Sequence, residues 1–294
     1  MKKISLIAVL VIAMLFSLTG CGKTDYEMYS DAYKNAQEMK GIDAEGTLKL
    51  VINSVDGTTN MNLPIDFALK VDDVNNKNAK MLITYSMPIM GMNTQSSVYV
   101  ADGYRYTATK TSIEGEEFEQ KIKEAVDESD SDFPELKEGA KIDLDLFVEE
   151  DFKNASKESV DGGNKYTITK TSDEVKAYAE KIMSGIIDAM DKTDAEKEES
   201  KNEMKESFDE MTFGGMTVTF VIKDGYFTEF GVVMNGLVIN SSEISTDDLA
   251  LNELLKIDIE MNVKFNNPGK DVTVTAPSDL DEYEEFDFDF DFDY

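Results

Sequence analysis

Few side chains in this chain could do chemistry. Its 294 residues include no histidine, one cysteine, and 60 aspartates and glutamates. Without histidine, the usual general base near neutral pH and the commonest transition-metal ligand are both missing. A lone thiol forms no internal disulfide and no cysteine-based zinc site. Neither S-x-x-K nor G-x-x-x-x-G-K-[ST] occurs. "DESDSDFPELKE", residues 127 to 138, is acidic enough to attract calcium. It carries no glycine for the sharp turn of an EF-hand loop. Paired-carboxylate hydrolysis needs two acids set apart by their surroundings, and the sequence singles out no pair. The expectation is a protein that is not an enzyme, with no cofactor and no metal. What remains is the thiol of Cys21.

Cys21 ends the run "MKKISLIAVLVIAMLFSLTGC". Lys2 and Lys3 give a positive start, Ile4 to Leu18 is almost wholly apolar, and Thr19 and Gly20 are small. This is the order of a secretory signal peptide. The apolar run falls short of the roughly 18 to 20 residues that a spanning helix needs. "LTGC" resembles the lipobox of bacterial lipoproteins, in which the cysteine thiol receives diacylglycerol and cleavage leaves it as the first residue. The resemblance implies a signal peptide at 1–20, a lipid-attachment residue at Cys21 within a short lipidated stretch 21–24, and an extracytoplasmic protein anchored in the cell membrane. One acyl chain anchors marginally and two hold firmly. The mature chain would then have 274 residues and depend on its apolar core for stability.

The formal net charge is −31, and it becomes −33 when Lys2 and Lys3 leave with the signal. Such a surface repels nucleic acid, so no nucleic-acid partner is expected. Lysines and acids are mixed along most of the chain, which fits a soluble surface better than a cation site.

The elements follow from periodicity. "TDYEMYSDAYKNAQEMKG" opens with the capping box Thr24–Glu27 and carries Tyr29, Ala32, Tyr33, Ala36 and Met39 at helical spacing. Alternating runs then turn at Asp56-Gly57, Asp102-Gly103, Asp161-Gly162 and Asp224-Gly225, a strong hairpin signal. "YTATKTSIE" (106 to 114) and "YTITKTSDE" (166 to 174) match at seven of nine positions. Both read as a strand running into a helix, capped by Thr111–Glu114 and Thr171–Glu174. The first predicted helix is "EEFEQKIKEAVDE", with Phe118, Ile122 and Val126 four apart. The second carries Val175, Tyr178, Ile182, Ile186 and Met190 on one face. Thr193 and Glu196 start a further, charged helix that ends near Met211. After it, a meander is expected to turn at Asp224-Gly225 and Asn235-Gly236, with "KIDIEMNVKF" and "DVTVTAP" closing the sheet. The stretch 278–294, "SDLDEYEEFDFDFDFDY", is too biased for a packed element and reads as a disordered tail.

These elements predict an α+β fold: a strongly curved, open antiparallel sheet of about ten to twelve strands covered by helices. Lipobox, short amphipathic helix, Asp-Gly hairpins, a helical insertion and "NVKFNNPGKDVTVTAP" together resemble the half-barrel lipoproteins, the group of the carrier LolA and the mycobacterial lipid carriers LppX and LprG. The resemblance covers residues 25–277 and offers no catalytic residues. It implies a cavity between sheet and helices that holds acyl chains. Candidate lining residues are Met87, Met90 and Met92, flexible thioethers in "YSMPIMGMNTQ", and Tyr178, Ile182, Ile186 and Met190 on the helical stripe. Two readings stand. One is a membrane-tethered binder or carrier of a lipid or other apolar ligand. The other is a surface module whose acidic helices and tail contact an envelope protein or wall polymer. A cavity favours the first and a filled interior the second.

Overall fold

The computed structural model describes residues 23–54, 60–74, 76, 78–89, 91–113, 115–126, 145–190, 192–240 and 254–285. The turn at Asp56-Gly57, Met90, Cys21 and the leader lie outside them, as do residues 286–294. Helix α1 (Asp25–Gln37) starts at the expected box: Glu27 N–H donates to Thr24 Oγ1 at 3.1 Å, and the Glu27 carboxylate accepts from Thr24 N–H at 2.6 Å. Six strands follow as successive hairpins: β1 (Ile42–Ser54), β2 (Asn60–Val71), β3 (Met81–Ile89), β4 (Met92–Ala101), β5 (Tyr104–Ile113) and β6 (Glu116–Ala125). Then come the short α2 (Glu149–Lys153), β7 (Ser156–Val160), β8 (Gly163–Lys170), α3 (Ser172–Ala189) and α4 (Asp194–Glu210). The chain ends its described part with β9 (Met216–Lys223), β10 (Tyr226–Asn240), β11 (Leu254–Phe265) and the two-residue β12 (Glu284–Glu285).

All twelve described strands join one open sheet in the order β12-β6-β5-β4-β3-β2-β1-β11-β10-β9-β8-β7. Every pairing is antiparallel except β12 on β6. Asp102 and Gly103 (φ 53° and 79°) and Asp224 and Gly225 (φ 50° and 84°) make the left-handed two-residue turns that match strand twist. The α+β curved sheet is therefore the one the periodicity predicts.

Four details differ from the reading of the sequence. Glu116–Ala125 is strand β6, not a helix, and Thr111 pairs across to Phe118 within the hairpin; its expected cap partner Glu114 lies outside the described residues. A spacing of four is even as well as helical, so Phe118 and Ile122 fit both periods. Gly115, at φ 91°, lets the chain turn back as a hairpin. Asn235-Gly236 is a bulge inside one long strand, not a turn. The register shifts between Met234 and Leu237, and Asp258 accepts the Gly236 N–H at 2.7 Å. Residues Asp271–Pro277 join no ladder. Finally, Ser278–Glu285 is not a structureless tail: Leu280–Glu282 forms a 3-10 turn and β12 pairs with β6.

The main core lies on one face of the sheet under α1. Tyr29 is fully buried, with its ring centroid 5.4 Å from Phe147, 5.7 Å from Phe220 and 5.9 Å from Phe227. Tyr166 stacks on Phe220 at 5.3 Å. Val175 at the start of α3 belongs to the same cluster. Helix α4 packs on α3 through Lys176–Asp209 (2.6 Å) and Lys201–Asp188 (2.7 Å), while Lys197 is buried and donates to the Asp188 carbonyl at 2.8 Å. Among the described residues no helix is long and apolar enough to cross a membrane.

Candidate functional site: a trough on the bare face of the sheet

A cavity of about 880 Å³ touches ten successive strands, from Glu119 on β6 to Lys165 on β8. In a flat sheet those two strands would lie about 43 Å apart at the usual strand spacing of ~4.8 Å. One cavity reaches both because the sheet curls around it.

The register fixes which face this is. Glu45 pairs with Ala68 on one side and Lys264 on the other. The row continues through Thr84, Ser97 and Ala108 in one direction, and through Glu229, Val221 and Lys165 in the other. Directly paired residues point to the same side of a sheet, and this whole row lines the cavity. The adjacent row runs Tyr166, Phe220, Phe230, Val263, Gly46, Phe67; the side chains of Tyr166, Phe220, Phe230 and Val263 belong to the core beneath α1, and Phe230, Val263, Gly46 and Phe67 border the cavity from between two rows that face it. The cavity is thus a trough on the face opposite the helices. The space between sheet and helices that the resemblance implies is occupied near α1 by packed aromatic rings.

The trough wall is more apolar carbon than polar atoms. Ala68, Ala108 and Val221 give smooth patches, and Thr84, Ser97 and Thr219 give hydroxyls. Charges along it are paired: Lys264 with Glu45 at 3.1 Å and Lys110 with Glu117 at 2.8 Å. The first of these pairs bridges two strands at the middle of the sheet. Among the described residues no three acidic or thiol side chains converge as a metal's ligands would. The most strongly shifted groups lie away from the trough. Burial pushes the Tyr29 hydroxyl well above the usual phenol range, and the neighbouring Asp145 carboxylate adds to the effect. Tyr29 therefore stays protonated and donates to Asp145 at 2.8 Å. Tyr166 behaves alike, raised first by burial and then by its bond to Asp25 at 2.9 Å.

None of the described candidate lining residues borders the trough, and Met90 lies outside the described residues. Met87 sits on β3 opposite Thr94, in the row that faces the helix side. Met92 opens β4 and is 38% exposed. Tyr178, Ile182 and Ile186 lie half-buried on α3, and Met190 stands at its C-terminus. Val175, Ile187 and Ala189 are the apolar side chains of α3 that are buried. The trough residues escaped notice because they occupy the polar half of an alternating pattern. That half normally marks water, and alternation carries no sign of a sheet's curl.

Neither a protein-family model nor a curated protein matches the chain. Among solved structures it is similar to LprF from Mycobacterium bovis, at 12% identity and a TM-score of 0.31, over 87% of this chain and 99% of that one.

Proposed function

We propose that this chain is a lipid-anchored extracytoplasmic protein that binds a lipid or other amphipathic ligand in the trough. The supporting observation is the trough itself: one face of a twelve-stranded sheet curled round about 880 Å³. Ligand sites have volumes of roughly 300 to 1,000 Å³ and mostly apolar walls with a few placed polar groups. The wall here has that composition. The leader and "LTGC" support attachment at Cys21. The second reading, an interaction module without a ligand, draws on the filled aromatic core between α1 and the sheet.

Filling the trough tests the proposal. Ala108→Trp and Ala68→Trp each place an indole in its wall. A pyrene-labelled fatty acid is expected to bind the unaltered chain, and both tryptophan variants are expected to bind it about tenfold more weakly or worse. Ile187→Val, on the helix side, leaves binding unchanged. Failure of the unaltered chain to bind, or equal binding by both tryptophan variants, overturns the proposal in favour of the interaction module.

A further inference from the structure

After β11 the chain returns across the trough face as a strap. Val274 and Leu280 rest on Tyr99, Ala101, Leu82 and Tyr106. Tyr99 lies directly opposite Leu82 and Tyr106, two residues beyond Ser97 of the trough wall, so the strap covers the end of the same face. Tyr283 meets Tyr106 edge-on at 5.6 Å. Among the described residues, two parallel residue pairs, Glu284–Ile122 and Glu285–Lys123, tie the strap to the sheet ladder.

Its firmest hold is a lysine. Lys121 Nζ lies 2.7 Å from the Asp279 carboxylate and 2.5 Å from that of Glu282. The Lys121 side chain is 17% exposed, whereas that of Glu282 is 62% exposed. Lys123 adds a bond to Glu285 at 3.2 Å. Lys121 stands directly opposite Ala108 and two residues from Glu119, and both of those line the trough. A sheltered cation therefore sits at the trough's end, occupied by carboxylates that the chain itself supplies.

We propose that Lys121 is the head-group subsite of the trough, for the anionic head of an amphiphile whose chain lies along the wall, and that Asp279 and Glu282 hold this subsite as built-in competitors until ligand displaces the strap. The proposal rests on the trough being a ligand site. It reconciles an anionic ligand with a chain of net charge −31: the general surface repels anions, while Lys121 offers one sheltered contact whose present partners are already anionic.

The test compares a pyrene-labelled fatty acid with the fatty alcohol of the same chain length. Four forms of the chain are used: unaltered, Asp279→Asn/Glu282→Gln, and that double variant with either Lys121→Met or Lys121→Arg added. Loosening the strap is expected to tighten acid binding about tenfold, the scale of one charge-assisted hydrogen bond, and to leave the alcohol nearly unaffected. Adding Lys121→Met removes the preference for the acid, and adding Lys121→Arg instead retains it. Competition by phosphatidylglycerol and by unlabelled fatty acid then identifies whether phosphate or carboxylate is the preferred head. Equal responses of acid and alcohol to the strap variant overturn the proposal while leaving the trough as a site. Should the triple variant not fold, that comparison decides alone. Absence of binding by either probe in every form rejects the trough and the subsite together.

Discussion

Lys170, at the end of β8, reaches Asp151 of α2 at 2.5 Å, and both side chains are nearly closed to water. Asp151 also accepts the Val148 N–H at 2.8 Å, so one carboxylate joins the start of α2 to the end of β8. Charges withdrawn from water hold as a pair and become costly singly. Lys170→Met keeps the stem and strands the acid. It is expected to destabilise the fold by about 3 kcal/mol, measured by urea denaturation. Lys170→Met/Asp151→Asn should lose less, because the amide oxygen still accepts from Val148. A pair of this kind was not legible in the sequence. Its members come from different elements, and nothing local distinguishes them from the other lysines and acids. The capping threonines were legible because their partners lie three residues away. Tyr29, Ala32 and Ala36 were readable as core from spacing alone.

Helix starts and strand periods are the scale at which the sequence spoke most clearly. Thr24, Thr171 and Thr193 each form the reciprocal box with the glutamate three residues on. In α3 the Glu174 carboxylate is held below its usual range by hydrogen bonds from Thr171 and, more weakly, by Lys170. A carboxylate lowered in the folded state contributes stability that is present above its unfolded pKa, about 4.3, and lost as pH falls through the folded value. Thr171→Ala is therefore expected to cost about 1 kcal/mol at pH 7 and visibly less near pH 3, from denaturation curves at both. Element type failed where two periods coincide. In "EEFEQKIKEA" the apolar residues recur every four, and Phe118, beyond the two residues of β6 that β12 covers, is 56% exposed, so no buried face resolved the ambiguity. The bulge at Asn235-Gly236 misled for a related reason, since the same dipeptide suits a hairpin turn and a positive-φ kink within a strand.

At the scale of the whole molecule, the curl of the sheet was expected, and the face that became the trough was not. Alternation shows which side chains share a face. Which face closes on itself depends on the summed twist of many strands. Attachment at Cys21 also belongs to this scale. With Asp25 bonded to Tyr166 and Lys157, the anchor would be four residues from the folded body, or about 14 Å at full extension. Cys21→Ala is expected to move the protein from the membrane to the soluble fraction, checked by fractionation of the native host with a salt wash. The strand order carries a different consequence. β1 and β11 meet at the centre of the sheet, and the Lys264–Glu45 pair across them joins residues 219 apart. Each flanking meander can assemble from near neighbours, but the seam between them must wait for a very long loop to close, an entropic cost that predicts the seam to pair last. During synthesis from the N-terminus, the open flank of β1 has no native partner until β11, in the last third of the chain, has been made. A newly made molecule thus passes through a period when the middle of its future sheet is an unpaired border, the kind of edge on which chains aggregate.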